Sequence, residues 1–359
     1  MTIVDERTVG STATAKTGGG SGLGRYILVR FLLIIPTVFI LVSLVFFLGR
    51  VAGDPITASA GGRLNEAQLA ERLAEAGYDR PILVQYVEYL GQTFTGDFGR
   101  TITDNREISD ILVSYGTATL ELVFFALIVA LVVGIPLGML AAYLRDRWPD
   151  ALLRVFAILC YATPVFFAGM LLKLVFSVWL GVLPLAGRAS TDVQLVLGRI
   201  SGSTGINIID ALRTGRLDLI SDILLHAALP AITLGLLTAG VFLRLVRTNL
   251  IGTLGMDYVD AARSRGVSEL RLVRRHAYKP ALIPIITVMG LQIALLLGGA
   301  ILTETTFGWR GLGFQLAQYL AARDFVAIQG IVALLAVIVA ITNFLVDIVA
   351  ALVDPRVRY

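Results

Sequence analysis

Apolar and polar positions alternate along the chain in blocks. Six blocks stay apolar long enough to cross a bilayer as helices: about 26–48, 117–144, 151–180, 223–246, 281–303 and 326–350. The first, YILVRFLLIIPTVFILVSLVFFL, covers roughly 34 Å at a helical rise of about 1.5 Å per residue, enough for the hydrocarbon core. It is too long for a signal peptide and lacks a small-residue cleavage site. The second carries GIPLG, in which Gly134 and Gly138 flank Pro136 at the small-xxx-small spacing that lets helix backbones approach in lipid.

The polar blocks have patterns of their own. Residues 50–114 contain NEAQLAERLAEAG, which opens on an Asn-x-x-Gln pair resembling a capping box and repeats apolar residues at helical spacing. RPILVQYVEYLGQTF predicts a second amphipathic helix with Ile82, Tyr86, Tyr89 and Leu90 broadly on one side. The 186–222 block includes the flexible SGSTG. The expected organisation is a flexible tail over 1–24, a first span over 25–49, a helical segment over 50–114, and a core over 115–359. Within that core lie a polar insert at about 186–222 and a loop at about 248–280.

Composition agrees with a membrane protein. The chain of 359 residues is 56% hydrophobic and 16% charged, against about 25% charged in soluble domains. Cys160 is the one cysteine, so no internal disulfide forms, and two histidines far apart leave no metal-ligand cluster. The placement of basic residues sets orientation. Arg145, Arg147 and Arg154 flank the turn between spans two and three. Arg244, Arg247, Arg263, Arg265, Arg271, Arg274, Arg275 and Lys279 crowd the loop between spans four and five, and Arg356 and Arg358 close the chain. The positive-inside rule then predicts that both termini, the short turn and the 248–280 loop are cytoplasmic, with 50–114 and 186–222 outside.

The 248–280 loop predicts helix, glycine turn, helix. MDYVDAARSRG ends on Gly266, suited to a helix stop, and SELRLVRRHAYK restarts with Ser268 as an N-cap and Glu269 in the first turn. One reading is an amphipathic helix whose arginines rest on anionic headgroups. The other is a docking knob, in which small Ala261 and Ala262 admit a partner surface, Asp260 offers a directed charge and Gly266 permits a tight bend.

DAARSRG followed by HAYKPALIP resembles the cytoplasmic EAA loop of binding-protein-dependent ABC importer permeases. Asp260, Ala261, Ala262 and Gly266 match its first part, with Asp in place of Glu, and the second part runs from His276 to Pro284. RYILVRFLLIIPTVFILVSLVFFLGRVAGDP, YDRPILVQYVEYLGQTFTGDFGRTI, TATLELVFF, GIPLGMLAAY, LPAITLG, ETTFGWRGLGFQL and DPRVR follow in the order found in B-type subunits of the dipeptide/oligopeptide/nickel branch. This resemblance implies an all-α integral membrane fold of six spans with a cytoplasmic EAA coupling loop and an external helical segment after span one. It implies a bacterial cytoplasmic-membrane subunit paired with a homologous C-type permease, with two ATPase subunits docked on the loops and an external substrate-binding protein. No cofactor is expected in this chain, since ATP and Mg²⁺ belong to the ATPases, and no nucleic acid is involved. Alternating access would carry di- or oligopeptides; nickel or another small solute is the alternative within the branch. An ion-coupled secondary transporter is disfavoured, because no inverted repeat is evident and the charged loop would have no role.

Isolated polar residues complete the picture. Glu121, Gln292, Glu304 and Arg310 are candidates for the pathway or for contact with a binding protein. Glu121 also suits a contact with a neighbouring helix, and Glu304 with Arg310 suits a locally paired turn. Lys173 suggests a partner acid or a subunit interface. Asn343 suits helix–helix contact, and Asp347 is expected to meet Arg356 or water. Gly298 and Gly299 suggest a close-packing site or one pore wall. Gly19 and Gly24 have the spacing of a phosphate-binding loop, but Arg25 and Tyr26 stand where Lys and Ser/Thr belong. Among catalytic patterns, neither G-x-S-x-G nor H-E-x-x-H occurs.

Overall fold

A computed structural model of the chain describes residues 21–51, 57, 65–75 and 77–353. The phosphate-loop near miss at Gly19, most of the 1–24 tail, and Arg356 and Arg358 lie outside the described residues. Those described are helical, without a named strand. In chain order the helices are α1 (Ser21–Val51), α2 (Glu66–Glu75), α3 (Ile82–Thr95), α4 (Ile108–Tyr143), α5 (Trp148–Ala162), α6 (Val165–Leu172), α7 (Thr191–Gly198), α8 (Asn207–Thr214), α9 (Leu217–Leu254), α10 (Asp257–Ser264), α11 (Glu269–Arg271), α12 (Tyr278–Phe307), α13 (Leu312–Ala321) and α14 (Phe325–Val353). π-helical stretches extend α6 over Lys173–Trp179 and precede α12 over Leu272–Ala277.

Four helices, α1, α4, α9 and α14, are long and apolar enough to span a membrane; two bent pairs make six when each counts as one span. The third span differs from the straight rod that its hydropathy suggests. It breaks between α5 and α6 with a bend of 106°. Pro164 forces the preceding Thr163 out of the helical region, to φ −78° and ψ 126°. The fifth span bends by 41° between Val288–Gly298 and Ala300–Phe307. Helices generally run a few residues beyond the apolar blocks, because polar residues extend them past the hydrocarbon.

The bundle is built around the close approach of α4 and α9. A Cβ on Gly134 would lie 2.8 Å from the Ala239 carbonyl oxygen, one on Gly138 2.7 Å from Val246 Cβ, and one on Gly235 2.6 Å from the Ala126 carbonyl oxygen. The pair flanking Pro136 therefore does the packing its spacing suggests. Gly298 differs: among the described residues a Cβ there would meet nothing within 4 Å, so it is not a close-packing site against them. Nothing about the Gly299 surroundings is described.

Around α1, the expected amphipathic faces are partly redrawn. Asn65 and Gln68 form the reciprocal capping box, with each backbone N–H donating to the other's side-chain oxygen at 3.2 and 2.8 Å. On α3 the face turned inward carries Gln85, Tyr86 and Tyr89, and Tyr86 and Tyr89 stack on Phe46. Ile82 shares the helical phase of Tyr86 and Tyr89, but it is the first residue of α3 and is exposed. Asp347 meets Arg30 of α1 at 3.4 Å.

At the end of the bundle remote from α10, two buried carboxylates organise the chain. Glu121 of α4 receives Arg188 Nη2 at 2.5 Å and the Ile208 backbone N–H at 2.8 Å. It thereby fastens the 186–222 insert, whose own core is Ala189, Val193, Leu197, Ala211, Leu219 and Ile223. Within that insert Asp210 is buried, which opposes its ionisation. The Thr204 N–H and the Ser203 and Thr204 hydroxyls outweigh this and hold its pKa below the ordinary value. Glu304 of α12 receives the Thr119 hydroxyl at 2.6 Å and the Phe314 N–H at 2.8 Å. Thr119 in turn accepts the Leu312 N–H at 2.8 Å. The Glu304 carboxylate thus sits at the N-terminus of α13, where orphan donors and the helix dipole favour it. Trp309 donates to the Ala118 carbonyl at 2.9 Å and lies beneath the Arg188 guanidinium. Among the described residues Lys173 has no partner acid; it donates to the Thr306 carbonyl at 2.7 Å, in the last turn of α12, where C-terminal carbonyls attract cations.

Two outcomes follow. Gly138→Leu should lower stability by about 1–3 kcal/mol through overpacking, while Gly252→Ala, with open space around it, should be near neutral; thermal melts of purified protein measure both. Arg188→Ala should cost about 3–5 kcal/mol by stranding Glu121 and should open 199–216 to protease. Combining Glu121→Gln with Arg188→Met should recover much of that loss.

Candidate functional site

The segment between α9 and α12 is a compact bracket. Met256 is the extended N-cap residue of α10, and Asp257 and Asp260 lie in its first turn, a favourable place for acids. The helix ends in a Schellman arrangement: the Gly266 N–H donates to the Arg263 carbonyl at 2.9 Å and the Val267 N–H to the Ala262 carbonyl at 3.3 Å. Gly266 has φ +79°, and a Cβ there would meet nothing within 4 Å. Glycine is needed for backbone conformation, then, and not for space. The chain restarts at Ser268, which has the N-cap backbone but makes no side-chain capping bond. It continues through α11 and the Leu272–Ala277 turn directly into α12.

The inner face of the bracket is buried. Val259, Ala262, Leu272, Val273 and Ala277 join Phe242, Val246, Leu250 and Leu254 of α9, Ala142 of α4, and Ala281 and Ile285 of α12 in one apolar cluster. Burying side chains such as Val259 and Leu272 contributes about 1.5–3 kcal/mol each, enough to hold the bracket on the bundle. This corrects the expectation for Ala262. Only Ala261 is presented outward; Ala262 is 4% exposed and belongs to the underside, because the two adjacent residues lie on opposite sides of the helix boundary between surface and core.

The outer face is polar and cross-linked. Arg263 pairs with Asp260 one turn before it and donates from Nε to Glu269 Oε1 at 2.7 Å. One guanidinium therefore clamps α10 to α11 across the Gly266 bend, and Asp260 is engaged locally instead of standing as a lone charge. Glu269, and then Asp260, raise the Arg263 pKa above its ordinary value; arginine is ionised at all physiological pH in any case, so the clamp carries no pH switch. Tyr258 Oη approaches the His276 carbonyl at 3.5 Å, and His276 Nδ1 is buried without a hydrogen-bond partner among the described residues. Pro284 lies inside α12 and is exposed. Between the bracket and the turn after α4 is a cleft of about 550 Å³ lined by Tyr143, Arg145, Arg147, Asp260, Arg263 and Glu269 among others.

A second tie lies at the same end. Asp150, fully buried near the start of α5, receives Arg247 Nε and Nη2 at 2.6 and 2.7 Å and the Asp146 N–H at 3.2 Å. This bidentate pair fixes the 144–150 turn to α9. Charge counting along the sequence treats Arg247 only as a marker of orientation; its partner lies 97 residues away in the chain and becomes visible once α5 and α9 pack. Arg188 escapes sequence reasoning for the same reason, its partner Glu121 lying 67 residues away, whereas the Arg263–Glu269 pair forms only once the Gly266 bend brings α11 back to α10.

The other candidate residues are separated from the bracket. Glu121 and Glu304 belong to the remote end, where both carboxylates are buried and hydrogen-bonded. Gln292 is buried midway along α12, and Arg310 is exposed beside Arg188 on a cleft of about 620 Å³. Asn343 is exposed on α14.

Residues 134–359, which include the bracket and the α12–α13 corner, match the family described as binding-protein-dependent transport system inner membrane component. The chain belongs to this family. It is a membrane-spanning permease component of an ABC transport system, a translocation subunit and not an enzyme. It is 38% identical to the dipeptide transport system permease protein DppB of Escherichia coli K12 over 337 residues, covering 93% of this chain and 99% of that one. It is 37% identical to the di/tripeptide transport system permease protein DppB of Pseudomonas aeruginosa, covering 92% and 97%. To the glutathione transport system permease protein GsiC of Salmonella paratyphi A it is 35% identical, covering 93% and 99%. Among solved structures, the MetNI methionine ABC transporter in inward facing conformations superposes with a TM-score of 0.50 at 18% identity, over 68% of this chain and 96% of that chain. That likeness concerns the fold.

The bend should respond to substitution by conformation and not by volume. Gly266→Val should destabilise the local turn by about 1–2 kcal/mol, since a β-branched residue resists positive φ, whereas Gly266→Asn should cost less. Hydrogen exchange over 264–271 measures this, with faster exchange expected in the order Val, Asn, Gly.

Proposed function

We propose that this chain is one permease half of an ATP-driven, binding-protein-dependent importer of di- or oligopeptides, and that α10 with its clamped outer face is where an ATPase subunit docks. The observation that carries the reading is the two-sidedness of the bracket. Asp260, Ala261, Arg263 and Gly266 face outward, while Val259 and Ala262 are buried among residues of α4, α9 and α12. A push on the outer face is therefore delivered to three spanning helices at once. Peptide cargo follows from the dipeptide, di/tripeptide and glutathione permeases to which the chain is similar along nearly its whole length.

In this account the bracket, the 144–150 turn and both termini are cytoplasmic, consistent with Arg145, Arg147, Arg263, Arg265, Arg271, Arg274 and Arg275 at that end. The insert and the segment before α4 are external. A homologous C-type permease completes the pathway, two ATPases bind ATP and Mg²⁺, and an external binding protein delivers cargo. Closure of the ATPases would move α10, and α9 and α12 would tilt with it, exchanging inward and outward access. Glu121 and Glu304 hold the outer corner in shape. Arg310, exposed at that corner, is the better candidate for contact with the binding protein, and Gln292 for the pathway.

Asp260→Lys should lower recovery of the ATPase subunits in a co-purification from membranes at least about tenfold, by reversing charge at a contact and opposing Arg263. Membrane insertion should be unaffected. Undiminished recovery, with peptide-stimulated ATP hydrolysis intact, would place the docking surface elsewhere.

A further inference from the structure

A second cleft, distinct from the bracket, lies between α5 and α9. It measures about 380 Å³, and Arg154, Ile158, Tyr161, Val241, Arg244 and Arg247 are among its lining residues. The two helices run antiparallel, and Gly240 packs against Ala157 and Cys160. That contact fixes the register: the arginines share one end, toward α10, and Ile158, Tyr161 and Val241 form the other. The charges at the basic end are not balanced. Arg247 is committed to Asp150 through two bonds of 2.6 and 2.7 Å. Arg154 is only 3.8 Å from the same carboxylate and is half exposed. Arg244 is exposed, and no acid among the described residues pairs with it. No acidic side chain lines the cleft.

We infer that this cleft binds one anionic phospholipid, with the headgroup phosphate held by Arg154 and Arg244 and an acyl chain along Ile158, Tyr161 and Val241. The argument is complementarity to an amphiphile. A zwitterionic peptide would need an anionic counter-site, which the cleft lacks. A phosphate with hydrocarbon attached needs cations at one end and an apolar wall beyond them, in the surface of a span near the level where headgroups lie. Asp150 sets the charge of the site: by neutralising Arg247 and fixing it in place, it leaves the positive charge of Arg154 and Arg244 for a phosphate. Because α9 leads directly into the bracket, a lipid seated here contacts the same helix that receives force from α10.

The test is native mass spectrometry of the intact purified assembly, delipidated and then offered dioleoylphosphatidylglycerol or dioleoylphosphatidylcholine. The parent should retain the anionic lipid with roughly 30-fold preference, the effect of two basic groups near a membrane surface. Arg154→Gln with Arg244→Gln should abolish that preference, and Arg154→Lys with Arg244→Lys should keep most of it, which separates lost charge from lost folding. Arg199→Gln with Arg216→Gln, an equal charge loss on the insert, should leave it unchanged. Equal retention of both lipids by the parent, or unchanged preference in the double Gln variant, would overturn the inference. So would displacement by glycerol 3-phosphate alone, which would mark a free-phosphate site. Cross-linking of Ile158→Cys, in a Cys160→Ala background, to another subunit would assign the cleft to a protein interface and overturn it as well.

Discussion

At one end of the bundle, the underside of an eight-residue helix meets the ends of three long ones. Val259 and Ala262 of α10 are buried against Leu250 and Leu254 of α9, Ala142 of α4 and Ala281 of α12. The remaining features of that end follow from this contact. A helix of about two turns has no independent stability in water, so α10 is helical because its apolar side is covered. Its outer side can then be almost wholly polar. The Arg263 clamp and the Gly266 turn give the bracket a fixed bend without adding buried area.

The two ends of the molecule solve different problems. At the α10 end, apolar packing seats the bracket, exposed ion pairs trim its surface, and one buried pair, Asp150 with Arg247, ties the 144–150 turn to α9. At the remote end, buried carboxylates join elements far apart in sequence. Glu121 binds the insert, and Glu304 closes the corner between α12 and α13. Carboxyl groups are costly to bury without hydrogen bonds, and both have them. Between the ends, the glycine contacts of α4 and α9 make a stiff central pair. A bundle that is stiff in the middle and anchored at both ends suits the transfer of motion across a membrane.

Much of this was legible in the sequence, for identifiable reasons. Apolar block length reports spans, because the bilayer sets a minimum length. Gly134 and Gly138 report close packing, and Gly266 reports a left-handed turn, because only glycine serves cheaply there. The helix–turn–helix of the bracket was readable from Gly266 and Ser268. The 106° break in the third span was hidden because hydropathy is blind to direction; Thr163–Pro164 was the available signal. The inward face of Ala262 was hidden because a short helix offers too few residues to fix its phase. The partners of Glu121, Lys173 and Arg247 were hidden because each is supplied by a remote element, or by a backbone carbonyl that no side-chain pattern records.

The central claim is that α10 and the spans it rests on move as one body. The most direct test is a pair of spin labels at Ala261 and Tyr143, in a Cys160→Ala background, within the assembled transporter. Their separation is measured without nucleotide and again with the ATPases trapped in the ATP-bound state. The account predicts one narrow distance distribution that is the same in both states, while the separation from Ala261 to the partner permease changes. A distribution between Ala261 and Tyr143 that shifts or broadens on trapping would show α10 sliding over its seat, and would contradict the account.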